Sequence, residues 1–361
     1  MLLVNGNCRT ISFKVISPQR MGVGELLEKA ENVFLQLVFD NGVKGYGEIA
    51  TWAVTRDYLP AEEEQAFHEQ ALPILYKQDG LEPAASMRAL DEIEGHTQLK
   101  AGLEMALYDA LGQHLHKPLY ELLGGKKKPH IQLSYSVSLQ DAVLELDELS
   151  NRYEEGYRIF KIKTGLLDLA TEVERLKLFK REFPKAEVRV DFNEVADPTT
   201  FSQLFDFMLE LGINYVEQPF PRGRDEALNN FRGRGALFVA DESCKTYEDF
   251  QRILAQGIYG AVSLKIGKIG GFRQVMRLLE AASPVGILGY AGGTSESVLG
   301  VTAAVHFFCT RTNLLEGCDF YFPYLIIEPQ GLTGGIIPQG GKLIPPDSPG
   351  TGCLPPAEWF R

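Results

Sequence analysis

From residue 130 to 320 the chain alternates short apolar runs with amphipathic segments, and this rhythm constrains the fold more than any other feature. The runs are IQLSYSVS (131–138), RIFKIK (158–163), AEVRVDF (186–192), INYVEQ (213–218), ALFVADE (236–242), GAVSLKI (260–266), VGILGY (285–290) and NLLEGC (313–318). Helical stretches such as 170–183 and 201–212 lie between them. Eight such β–α alternations predict a parallel (β/α) barrel. A doubly wound open sheet shares the rhythm. It usually opens with a Gly-rich phosphate loop after its first strand, and none stands here.

The flanks have a different texture. Residues 34–49 alternate apolar and polar side chains about Asp40-Asn41-Gly42, the signature of a hairpin. In 100–115, Leu103, Ala106, Leu107, Ala110 and Leu111 fall on one helical face. Gly124-Gly125 and Lys126-Lys127-Lys128 then mark a boundary. The Gly- and Pro-rich stretch 323–361 has little periodicity and is expected to pack back on the N-terminal region. The expected division is an N-terminal domain, 1–127, completed by 323–361, and a barrel over 128–322.

A (β/α) barrel carries its active site at the C-terminal ends of the strands, so those positions are the informative ones. Three successive strands end in Asp191, Glu217 and Asp241, 26 and 24 residues apart, about one βα unit each. Three hard oxygen donors converging there, with open positions for water and substrate, suit Mg²⁺, with Mn²⁺ as a substitute. The bland alternative is that each acid caps the next helix. Three in a row, flanked by lysines on both sides, favour the metal.

Those lysines are Lys161 and Lys163 on the second strand and Lys265 on the sixth. Residues two apart on a strand face the same side, here the barrel interior, which prefers Val, Ile and Leu. Inward lysines need partners or a task. Like-charge repulsion is expected to depress the Lys161 and Lys163 pKa values and to make Lys163 a neutral base. Lys265 approaches from across the barrel, so a substrate between the two would show one face to each. Salt bridging without proton transfer is the competing reading. The chemistry that follows is removal of the proton next to a carboxylate, with metal and lysine stabilising the enediolate.

Composition narrows the class. A formal net charge of −12 disfavours nucleic acid, which needs a basic footprint. A small carboxylate remains an admissible partner, because a cation reverses the local sign. No apolar run approaches the ~20 residues of a membrane helix, and the N-terminus lacks the pattern of a signal peptide, so a cytoplasmic location is expected. Five scattered cysteines, with no C-x-x-C pair, offer neither a zinc site nor a disulfide scaffold.

The motifs FKIKTG (160–165), VDFN (190–193), VEQP (216–219), ADES (240–243) and SLKIGKIGG (263–271) resemble those of the enolase superfamily, muconate-lactonizing-enzyme subgroup. GYGEI (45–49), LEMALYDALG (103–112) and GGTSESVLG (292–300) fit as well, and the likeness spans nearly the whole chain. The resemblance implies an α/β fold: a (β/α)₇β TIM-like barrel under an α+β capping domain. It implies Asp191, Glu217 and Asp241 as Mg²⁺ ligands and Lys163 and Lys265 as the acid/base pair, with Lys161 assisting. Cap loops near 16–25 and 50–58, with Met21, Trp52 and Arg56, would select the substrate, and Glu296 would face it. Trp52 as a buried cap aromatic and Glu296 as a helix-start acid are the plainer alternatives. A homo-oligomer is also expected.

The subgroup contains muconate cycloisomerases, dipeptide epimerases, racemases of N-acylated amino acids and o-succinylbenzoate synthases. The residues above do not separate them. The aromatic often found after the Asp-x-Asn motif is replaced here by Glu194 and Val195. Asp319 stands where dipeptide epimerases carry the first acid of an Asp-x-Asp, with Tyr321 in place of the second. A single acid suits a cycloisomerase too, and Asp319 could simply cap a turn. Paired lysines tip the expectation towards an epimerase or racemase of an amino-acid derivative. Two other classes compete: a Schiff-base aldolase, which needs no acid triplet, and a non-enzymatic binder on the same scaffold.

Overall fold

The computed structural model describes residues 1–20, 26–51, 57–137, 139, 141–320, 331–336 and 338–361, with the side chains of 16–27 excepted. Met21, Trp52 and Arg56 lie outside the described residues, as does Tyr321.

The N-terminal region opens with an antiparallel meander of β1 (Leu3–Arg20), β2 (Leu26–Phe39) and β3 (Lys44–Ala50). The expected hairpin is its second half. Gly42, at φ +80°, closes the turn by donating to the Phe39 carbonyl at 2.9 Å. Helix α1 (Thr97–Leu115) packs across the sheet. Gly45 and Gly47 allow that approach: a Cβ on either would stand 2.0 Å from a carbonyl oxygen of α1. The helix is buried well beyond the predicted face, including Ala101, Glu104, Met105 and Asp109. It is a shared wall, with β3 on one side and the barrel on the other.

The barrel strands are β4 (Tyr135–Val137), β5 (Ile159–Lys163), β6 (Glu187–Asp191), β7 (Tyr215–Glu217), β8 (Leu237–Ala240), β9 (Ala261–Lys265), β10 (Leu288–Gly292) and β11 (Leu314–Asp319). They form one sheet in sequence order, every described pairing parallel. Ser134 N donates to the Cys318 carbonyl at 3.0 Å and brings first and last strands together. The connections hold α2 (Ala142–Glu154), α3 (Leu169–Glu182), α4 (Pro198–Glu210), α5 (Tyr247–Gln256), α6 (Phe272–Ala282) and α7 (Val298–Phe308). Between β7 and β8 a 3₁₀ segment, Asp225–Phe231, takes the place of a helix.

One run divides. Among the described residues of 131–138, Tyr135–Val137 joins the barrel, while Ile131–Gln132 pairs antiparallel with Lys342–Leu343 of the C-terminal stretch. An apolar run records burial and does not record which neighbour buries it. The same stretch reaches the N-terminal sheet, where Trp359 meets Phe34 edge-on at 4.7 Å. No described helix is long and apolar enough to cross a membrane.

Buried acids tie these parts together by accepting backbone N–H groups. Glu48 accepts from Ser297 and Gly300 at the start of α7, both at 2.8 Å. Glu104 accepts from Arg273 in the first turn of α6 at 3.2 Å. Asp109 accepts from Thr351 at 2.7 Å. Helix N-termini favour such charges, but burial pushes Glu104 up to about 7 and Asp109 up to about 6. A carboxyl raised in the folded state stabilises it fully below the unfolded pKa and loses that effect as pH rises through the folded value. Glu104→Gln should therefore flatten the stability-pH curve between about 4.5 and 7, by at most about 3 kcal/mol. Urea denaturation across that range checks it. An unchanged slope would contradict the assignment.

Candidate active site

The sequence motifs meet at the C-terminal mouth of the barrel. Sheet register sets Lys163 beside Asp191 and Asp191 beside Glu217. Asp241 follows β8 directly. Lys161, Lys163, Asp191, Glu217 and Asp241 are all at most 5% exposed. Beyond two of the acids the backbone turns sharply: Asn193 has φ +41° and Gln218 φ +36°, a region L-residues avoid unless their surroundings impose it.

Each acid has a lysine. Lys163 Nζ donates to Asp191 Oδ2 at 2.7 Å and to Asn193 Oδ1 at 2.6 Å. Lys161 Nζ donates to Glu217 Oε2 at 3.0 Å and lies 3.4 Å from Asp191 Oδ2. Lys265 Nζ donates to Asp241 Oδ2 at 2.7 Å. The carboxylates thus turn to ammonium groups, and among the described residues no three His, Cys, Asp or Glu side chains close into a ready metal cage.

The electrostatics carry the same message. Burial pushes Glu217 up to about 7; Lys161 opposes this, while Asp191, Asp241 and Asp319 add to it. Burial also favours the neutral form of Asp241, but Lys265 and Lys268 outweigh it and hold the carboxyl far below its usual range. Lys161 corrects an expectation. Burial would lower it, but Asp319, Glu217 and Asp191 raise it well above an ordinary lysine. Three carboxylates outweigh one neighbouring ammonium and favour the charged form of Lys161.

Asp319, at the end of β11, is also buried. It pairs with Lys161 through Oδ2. Its Oδ1 accepts from Ser134 at 2.5 Å, Tyr290 at 2.8 Å and Ser136 at 3.1 Å. Burial is again outweighed, chiefly by Lys161, and the carboxyl sits at about 2. Glu296 lies four residues past Gly292, the register partner of Lys265. It accepts from Thr294 N at 2.6 Å, and burial pushes it up to about 7.

Several supporting residues escaped the sequence reading. Gln218 pins two strand ends, its Oε1 accepting from Asp241 N and Ser243 N, both at 3.0 Å. Arg175 donates to the Lys163 carbonyl at 2.8 Å while paired through two nitrogens with Glu145. Asn193 Nδ2 donates to Glu242 Oε1 at 3.1 Å, and burial, with Asp241 and Asp191 beside it, pushes Glu242 up to about 8. VDFN, VEQP and ADES held a signal for Asn193, Gln218 and Glu242, as polar residues close beside the acids; no motif pointed to Arg175.

Comparison with known proteins agrees with this architecture. The family model described as mandelate racemase / muconate lactonizing enzyme, N-terminal domain, matches residues 8–124, and the enolase C-terminal domain-like model matches residues 145–358. The chain belongs to the enolase superfamily, in its muconate-lactonizing-enzyme subgroup. It is therefore an isomerase of that superfamily. It is 32% identical over 302 residues to muconate cycloisomerase 1 of Pseudomonas putida, covering 82% of this chain and 80% of that one. It is 29% identical over 336 residues to the L-Ala-D/L-Glu epimerase of Bacillus subtilis, covering 90% and 89%. The crystal structure of muconate lactonizing enzyme from Pseudomonas fluorescens complexed with muconolactone superposes with a TM-score of 0.93 at 26% identity, over 100% of this chain and 99% of that one.

Proposed function

We propose that this superfamily member is a Mg²⁺-dependent racemase or epimerase of an amino-acid derivative, working through an enediolate. The observation that carries the reading is the placement of Lys163 and Lys265. They bracket the acid row, one bonded to Asp191 and the other to Asp241. A lysine at each end can remove a proton from one face of a substrate and return one to the other.

The donor set fits a divalent cation. Three carboxylates stand on neighbouring strands, close enough that each disturbs the others' ionisation. Asp191, Glu217 and Asp241 would hold the ion, and when bound it supplies positive charge against the developing enolate oxygens. Lys161, whose charged form the surrounding acids favour, adds charge on the same side. Lys163 and Lys265 carry the proton.

Asp319 bears on the substrate. Lys161 already balances its charge and three hydroxyls fill its other oxygen. A buried α-ammonium group needs an acid of its own. An N-acylated substrate, with no charge on nitrogen, therefore suits this site better than a free dipeptide. The same observation supports a second reading, a cycloisomerase of the muconate type, whose substrate carries no ammonium group.

Asp319→Asn separates these roles. As counter-ion of Lys161, its loss should lower kcat about tenfold or more for every substrate class, with no special effect on amines. A KM increase confined to free-amine substrates, worth about 2–4 kcal/mol, would instead place Asp319 on the substrate. The reading as a whole is tested by a screen for Mg²⁺-dependent deuterium uptake across N-acylamino acids, dipeptides and muconates. Exchange with muconates alone would overturn the racemase reading in favour of the second.

A further inference from the structure

After Lys265 the chain makes one helical turn, Ile266–Ile269. Lys268 stands three residues on, so it rises over the same side as Lys265. Its ammonium group donates to the Ser263 carbonyl at 2.9 Å, the Asp241 carbonyl at 2.9 Å and Asp241 Oδ1 at 2.7 Å. A lysine has three N–H donors, and these three bonds use them all. Its side chain is 9% exposed, against 17% for Lys265.

Asp241 therefore has a different lysine on each oxygen, Lys268 on Oδ1 and Lys265 on Oδ2. It lies just past β8, where the strand ladder has ended. Two side chains take over there: Gln218 accepts its N–H and Lys268 donates to its carbonyl. Because Lys268 also bonds Ser263 of β9, it fixes the end of one strand relative to the next.

We propose that Lys268 is a positioning residue for Asp241, holding the backbone and Oδ1 so that Oδ2 stays turned to the cation position and to Lys265. This rests on the reading that a divalent cation sits at the acid row. Lys268 is bonded to Asp241 and Ser263 and acts through Asp241. Its task divides the labour of the two lysines that share Asp241: Lys268, with all three donors committed, is the fixed partner, and Lys265, bonded to Oδ2, is the one assigned to proton transfer.

Two physical effects oppose each other here, so the sign of one measurement decides. An ammonium group beside a metal ligand repels a cation, and by charge alone its removal should tighten metal binding. A partner that orients a ligand does the reverse. Its loss typically weakens metal affinity 10–100-fold. The probe is Mn²⁺, titrated into the metal-stripped full chain without substrate and followed by calorimetry and by the Mn²⁺ paramagnetic resonance signal. Lys268→Met is expected to bind Mn²⁺ 10–100-fold more weakly at an unchanged Tm. If that variant does not fold, Lys268→Gln, one atom shorter but still a donor, is titrated in its place and must also bind more weakly. Unchanged or tighter binding in the folded variant would overturn the proposal. Absence of Mn²⁺ binding in the unaltered chain would overturn the metal reading itself, and this proposal with it, before any variant is made.

Discussion

Stripping divalent cations with EDTA should abolish turnover, and Mg²⁺ or Mn²⁺ should restore it. Asp191, Glu217 and Asp241 form a row of buried acids on adjoining strand ends, and burial, with repulsion from Asp191 and Asp241 added to it, pushes Glu217 up to about 7. A divalent ion relieves that repulsion and supplies several kcal/mol against the enolate charge. Glu217→Gln keeps the shape and removes the central charge. It should lower kcat/KM by roughly 10³-fold or more, since 1.36 kcal/mol is one decade. Its Mn²⁺ affinity should fall in parallel. Full activity in EDTA, or in Glu217→Gln, would contradict the metal assignment.

The second large effect is expected from the lysines taken singly. A positioned general base contributes about 10²–10⁴-fold, so Lys163→Ala and Lys265→Ala should each lose turnover by that much. The losses should differ by stereoisomer. Lys163→Ala should abolish α-proton exchange with one hand of the substrate while exchange with the other survives, and Lys265→Ala should show the mirror pattern. Lys161→Ala should suppress both hands alike, because its ammonium is held charged by Asp319, Glu217 and Asp191. Retained turnover in either outer-lysine variant would refute two-sided proton transfer.

The barrel was legible because its physics is local. Eight apolar runs at βα spacing allow few other folds, and strand parity alone sends Lys161 and Lys163 to the same side. Acids at strand ends were legible for the same reason, since a barrel fixes where strand ends go. Partnerships across the barrel were not. That Asp319 would pair with Lys161, 158 positions away in the chain, has no periodic signature. Lys161 was misjudged for the same reason: its neighbour Lys163 is visible in sequence, while the three acids that outweigh it come from three other strands. Lys268 sat in plain view in SLKIGKIGG, but a lysine three residues past a catalytic candidate reads as a solvated helix face until its acceptors are known. The N-terminal acids Glu48, Glu104 and Asp109 hide in helical and strand patterns for a related reason. The N–H groups they accept belong to distant segments.

The central claim is that this site moves a proton at the carbon next to a carboxylate, with a divalent ion and two lysines. The most direct test is proton NMR in D₂O, with N-acylamino acids, dipeptides and muconates offered in turn at saturating Mg²⁺. The account predicts deuterium at the carbon alpha to the carboxylate of the substrate turned over, lost on adding EDTA and regained with Mg²⁺. Turnover that leaves that carbon fully protonated, or that proceeds unchanged in EDTA, would contradict it.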